Sequence, residues 1–117
     1  MVKIAVASGD GKVVDRHFGK ADVFHIVEAD SEGSQFKIVE QRSVTPVCIA
    51  GSHNVQSLHQ TAESLSDCQY LLVSKIGYLA EIVLTEKGID VFELPGDIRA
   101  SINKLFGYIR MQELIEK

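Results

Sequence analysis

Residues 55–77 read VQSLHQTAESLSDCQYLLVSKIG, two patterns of different period laid end to end. Val55, Leu58, Ala62 and Leu65 recur at helical spacing, which predicts a helix with one apolar face reaching to about Ser66. Tyr70-Leu71-Leu72-Val73 is then a continuous apolar run. Such a run suits a strand buried on both faces, and strands of that kind pair in parallel inside layered α/β sheets. The helix can therefore serve as a crossover into a central strand.

Towards the C-terminus the alternation continues. Leu79, Ile82, Val83 and Glu86 predict a second helix that Gly88 ends in left-handed conformation, and Ile89 to Phe92 a further strand. Pro95-Gly96 breaks that strand, and Asp97 caps a last helix with its apolar stripe at Ile98, Ile102, Leu105 and Ile109, despite a cost of about 1 kcal/mol for Gly107. Towards the N-terminus, Asn54 offers an N-cap, and the stretch from Thr45-Pro46 through Gly51-Ser52 reads as irregular. Gln35 to Ser43 and Val23 to Val27 read as an antiparallel pair joined by a turn at 30–34. A long loop separates them from a first strand around Ile4 and Val6, which Ser8-Gly9-Asp10-Gly11 terminates.

Direction counting turns this order into a site. If the first strand points up, the loop after it, the 44–53 loop and Ser74 to Tyr78 all fall on the upper edge, where open α/β sheets bind ligands. That edge collects Ser8, Asp10, Arg16, His17, Phe18, Gly19, Cys48, His53, Lys75 and Gly77. Cys68 precedes the Tyr70 strand and falls on the opposite edge, about 20 Å away at ~3.3 Å per strand residue.

Composition narrows the function. The 117 residues are 45% hydrophobic and 24% charged with only two prolines, a balance that excludes disordered, collagen-like and solenoid chains and predicts one domain over residues 1–117. A net charge of -4 without a basic stripe disfavours nucleic acid as a partner. Two cysteines twenty positions apart make neither a disulfide framework nor a four-thiolate zinc site, although one disulfide stays open. The segment from Met1 to Ala7 is no signal peptide, and no apolar stretch approaches the ~18 residues of a membrane span. The expectation is a cytoplasmic protein with reduced thiols and no membrane partner.

Each candidate residue has two readings. His17, between Arg16 and Phe18-Gly19, either presents an imidazole nitrogen to a metal or is a loop histidine hydrogen-bonded to backbone. Cys48 and His53 either add a thiolate and an imidazole or are ordinary loop residues, since their spacing matches no closed zinc pattern. Lys75 and the amides after Gly77 suit an anion by charge and helix dipole, or are an exposed lysine and a turn glycine. Ser8-Gly9-Asp10-Gly11-Lys12 lacks the phosphate-loop spacing. His25 and His59 read as structural or solvated, and a magnesium cluster of Asp10, Asp15 and Asp22 for a nuclease lacks a first-strand carboxylate.

Taken together, Lys3-Ile4-Ala5-Val6-Ala7-Ser8 with Asp10-Gly11, His17-Phe18-Gly19-Lys20-Ala21 and LSDCQYLLVSKIG at 65–77 resemble the dinitrogenase iron-molybdenum cofactor biosynthesis family, over residues 2 to about 95. The resemblance implies a three-layer ribonuclease H-like α/β sandwich, its five-stranded mixed sheet having strand 2 antiparallel to the rest. It further implies a non-catalytic carrier of the iron-molybdenum cofactor or an iron-sulfur precursor cluster, with cluster donor and acceptor proteins as partners. On that basis His17 is the first ligand, Cys48 the second and His53 the third. Ser8, Asp10, Arg16, Phe18, Gly19, Lys75 and Gly77 surround the cargo. Tyr78 departs from the family, which often has a smaller residue or Cys there. Two other classes stay open: a metal-free regulatory or adaptor domain binding a protein or small anion, and a divergent metal-dependent nuclease.

Overall fold

The computed structural model describes residues 1–46, the backbone of 48–49 and 52–53, and residues 55–116. Five strands, β1 (Val2–Ala7), β2 (Val23–Ala29), β3 (Phe36–Ser43), β4 (Tyr70–Val73) and β5 (Asp90–Glu93), form one sheet in the order β3-β2-β1-β4-β5. β1 lies antiparallel to β2, from Val2 opposite Ala29 to Ala7 opposite Phe24, and β2 lies antiparallel to β3 with a bulge at Ile26/Val27. β1, β4 and β5 are mutually parallel, as the continuous apolar run of β4 requires.

Three helices cover the sheet: α1 (Val55–Ser64), α2 (Tyr78–Glu86) and α3 (Ile98–Glu116). The one-residue alternation of β1 divides the core. Ala5 and Ala7 face Leu58, Ala62 and Leu84 of α1 and α2, whereas Ile4 and Val6 face Ile98, Ile102, Leu105 and Phe106 of α3. Leu71 and Leu72 repeat the division on β4, and all four of these β1 and both β4 side chains are fully buried.

Termini of the elements follow local chemistry. Asp97 caps α3 by accepting the Ala100 N–H at 3.0 Å, as the sequence suggests, and Gly88 ends α2 at φ +84°. Asn54, the expected cap of α1, lies outside the described residues. α1 stops at Ser64, two residues short of the spacing-based estimate. α3, by contrast, continues through Gly107 and well past Ile109, to Glu116. The 44–53 stretch is not wholly irregular: Cys48–Ile49 pairs antiparallel with Ser52–His53. A second short ladder joins Val13–Val14 to Gly96–Asp97, tying the loop after β1 to the start of α3.

From the upper end of β3, Arg42 reaches down to Asp67, which precedes β4, and forks onto both its oxygens at 2.7 and 2.8 Å, while its remaining N–H groups reach Glu40 and the Ser64 carbonyl. Lys3 Nζ joins Asp67 at 3.2 Å. The network fastens the α1–β4 connection to β1 and β3. Arg42 holds the Asp67 carboxyl well below the usual carboxylate range.

Candidate functional site

The upper edge is assembled by backbone pairing. Arg16 N–H donates to the Ala7 carbonyl at 3.2 Å, Ser74 N–H to the Arg16 carbonyl at 3.0 Å and Phe18 N–H to the Lys75 carbonyl at 2.9 Å. Residues 16–18 thus lie as a one-bridge strand, His17 opposite Lys75, across the ends of β1 and β4. Phe18 is buried against Phe24 with ring centroids 6.0 Å apart, and the next residues close a 3-10 turn over Phe18–Lys20. A buried aromatic anchor and a backbone bridge therefore hold His17 in place while leaving it exposed. Its imidazole makes no capping hydrogen bond to the turn that it opens.

The 48–49 strand packs beside the Phe18–Lys20 turn, and its register sets position 48 opposite position 53. The backbone therefore brings positions 17, 48 and 53 to one edge, as direction counting expects. Cys68 is elsewhere: it is buried in the α1–α2 core, its thiol donates to Asp67 Oδ1 at 3.7 Å, and burial pushes that thiol up to about 12.

Ser8 and Asp10 are occupied by the loop itself. Ser8, fully buried, accepts the Gly11 N–H at 2.9 Å and donates to Asp10 Oδ1 at 3.2 Å. Asp10 Oδ1 also accepts Lys12 N–H at 2.8 Å and Val13 N–H at 3.2 Å, and the Lys12 bond leads in lowering its carboxyl below the usual range. These two residues shape the loop that carries Arg16. The Arg16 guanidinium lies over Gly9, where an added Cβ would meet it, and stands 3.8 Å from Asp15.

At α2, Gly77 is the N-cap and Lys75 is exposed beside it, but Ile76 N–H already donates to the Glu93 carboxylate at 2.9 Å. The rim is therefore mixed in sign, with Arg16, Lys20 and Lys75 interspersed among Asp15, Glu81 and Glu93. Ser74, which the sequence reading passes over, ends β4 with its hydroxyl buried and unpartnered among the described residues. A hydroxyl closing an otherwise apolar run was the signal available. His25 is buried on β2 with its ring against Gly11 of the loop after β1, and His59 is exposed on α1. Among the described residues no three His, Cys, Asp or Glu side chains gather in metal-binding range, Asp10, Asp15 and Asp22 included. No described helix is long and apolar enough to cross a membrane.

Known proteins resemble the chain in sequence and in fold. Residues 1–107 match the dinitrogenase iron-molybdenum cofactor family. The FeMo cofactor biosynthesis protein NifB of Chlorobaculum tepidum is 32% identical over 113 residues, covering 97% of this chain and 26% of that protein. NifB of Frankia alni is 37% identical over 97 residues, covering 80% of this chain and 19% of that protein. The chain thus spans about a quarter or less of these relatives. The crystal structure of PH0822 superposes with a TM-score of 0.65 at 22% identity, over 91% of each chain. The NMR structure of a candidate NifB protein from Thermotoga gives 0.57 at 24% identity, over 90% and 87%. These two likenesses establish the fold.

Proposed function

Since this chain belongs to the dinitrogenase iron-molybdenum cofactor family and is 32% and 37% identical to segments of two FeMo cofactor biosynthesis proteins, we propose that it is a non-catalytic carrier of the iron-molybdenum cofactor or an iron-sulfur precursor. The sheet order β3-β2-β1-β4-β5, with β2 antiparallel to its neighbours, suits a ribonuclease H-like sandwich used as a binding scaffold, and such a carrier would work in the cytoplasm. The observation that carries the reading is the bridge between His17 and Lys75, which holds an exposed imidazole at the carboxyl edge of β1 and β4.

In this account His17 ligates the cluster through a neutral imidazole nitrogen, with Cys48 and His53 as further ligands on the adjoining hairpin. Arg16 and Lys75 offset the cluster's negative charge, while Ser8, Asp10, Phe18, Gly19 and Gly77 fix the loops around it. A sparse ligand set suits cargo that must be handed from a donor protein to an acceptor. Imidazole and thiolate must shed protons to bind metal, so acid weakens retention.

Anaerobic incubation with isolated iron-molybdenum cofactor, followed by gel filtration with iron and molybdenum assayed across the protein peak, tests the reading. Co-elution with the wild type that His17→Ala abolishes supports it. Absence of metal from both favours a metal-free adaptor, and retention by both moves the ligand to Cys48 or His53.

A further inference from the structure

The loop after β1 lays the Arg16 side chain across Gly9, a contact that the candidate ligands leave unexplained. Arg16 cannot adjust through its backbone. Its N–H donates to the Ala7 carbonyl at 3.2 Å and its carbonyl accepts the Ser74 N–H at 3.0 Å, so the side chain alone sets where the charge stands. A Cβ added to Gly9 would stand 2.5 Å from Arg16 Nη2, 3.0 Å from Nε and 3.2 Å from Cζ. Three atoms of one planar group in that range mean that the guanidinium covers the bare Cα. Gly9 lies outside the left-handed region, so its missing side chain serves this contact rather than the turn. The same residue fixes a second support: Gly9 N–H donates to Asp15 Oδ1 at 3.1 Å, and that carboxylate stands 3.8 Å from Arg16 Nε. At that distance the two form an ion pair without a hydrogen bond, so the guanidinium donors are not used up by Asp15. Asp10 is no competitor for them, since its Oδ1 accepts the Ser8 hydroxyl and the Lys12 and Val13 amides.

We propose that Gly9 and Asp15 form a seat that holds the Arg16 guanidinium ready for anionic cargo, Gly9 being a positioning residue that acts through its missing side chain. The inference rests on the reading of this edge as a cluster site. A long, flexible arginine loses rotamer freedom when it binds an anion, and one that is already seated loses less. The seat does not hide the charge, because 46% of the Arg16 side-chain surface stays accessible. Alanine at position 9 would push the flexible end of Arg16 aside at little cost to the fold. The substitution therefore separates placement of the charge from stability, which removal of a core residue would not do.

Two readouts on the full chain test this. In nitrogen–proton correlation spectra of the unloaded protein, the Arg16 Nε–Hε signal should stand apart from the solvated arginine position and return to it in Gly9→Ala, with an unchanged far-UV spectrum. Anaerobic titration with isolated iron-molybdenum cofactor should show binding weakened about three- to tenfold by Gly9→Ala and about tenfold or more by Arg16→Ala. Because Gly9 acts through Arg16, Gly9→Ala should cost nothing further in the Arg16→Ala background. An Arg16 signal that Gly9→Ala does not move, wild-type affinity in Gly9→Ala, or a Gly9→Ala loss that persists undiminished without Arg16 would each overturn the proposal. A wild type that binds no cofactor would overturn the carrier reading instead, and the Arg16 signal of the unloaded chain would still decide whether the seat exists.

Discussion

Gly33 sits in the β2–β3 turn at φ +74°, and a Cβ added there would fall inside the Phe106 ring of α3. Gly33→Ala therefore carries two costs. The left-handed backbone costs an L-residue about 1–2 kcal/mol. Displacing a ring that is 2% exposed in the core adds about 1–3 kcal/mol of overpacking. The sum, about 2–5 kcal/mol, is a large share of a typical domain stability and corresponds to a fall in Tm of about 8–20 °C. Gly88→Ala isolates the first cost, because Gly88 has φ +84° but no atom within 4 Å of an added Cβ, so its Tm should fall by only about 4–8 °C. Thermal and urea unfolding followed by far-UV circular dichroism measure both. In a Phe106→Leu background the gap between the two alanine variants should narrow, as a double-mutant cycle between touching residues requires. Equal losses for Gly33→Ala and Gly88→Ala would refute the claim that the turn is fitted to the helix through the missing side chain.

Other expectations follow from the same packing. Phe18→Ala should cost about 3–5 kcal/mol because Phe18 anchors the 16–18 bridge in the core, whereas exposed His17→Ala should stay within about 0.5 kcal/mol in urea unfolding. In a Cys48→Ser variant, Cys68 should alkylate with iodoacetamide at least about 100-fold more slowly in the native protein than in denaturant, and equal rates would contradict its burial. Asp67, held below its ordinary pKa by Arg42, contributes stability that is complete above about pH 4 and is lost as pH falls through its lower folded value. Asp67→Asn should therefore flatten the acid decline in Tm, by only about 1 kcal/mol since the carboxylate is half exposed; parallel declines in both proteins would contradict the assignment.

Much of this was legible because the sequence states it redundantly. The unbroken apolar β4 and the one-sided stripe of α1 require a parallel crossover, and once the directions of β1 to β5 are counted His17, Lys75 and the 48–53 segment must share an edge. Three features were hidden for physical reasons. The two-residue ladders at 13–14 and 48–49 are too short for any periodicity to register. The Arg42–Asp67 fork joins residues 25 apart in sequence, and no local pattern announces such a pair. Ser8 and Asp10 carry polar groups fit for a ligand, yet they bond to the loop's own amides, a choice set by backbone geometry rather than by residue type.

The central claim, that the His17 imidazole ligates a metal cluster, is tested most directly by pulsed electron paramagnetic resonance of the cofactor-loaded protein carrying nitrogen-15 histidine. The account predicts a nitrogen-15 modulation on the cluster signal that is present in the wild type and absent from His17→Ala. A loaded cluster showing no histidine nitrogen coupling, or the same coupling in both proteins, would contradict it.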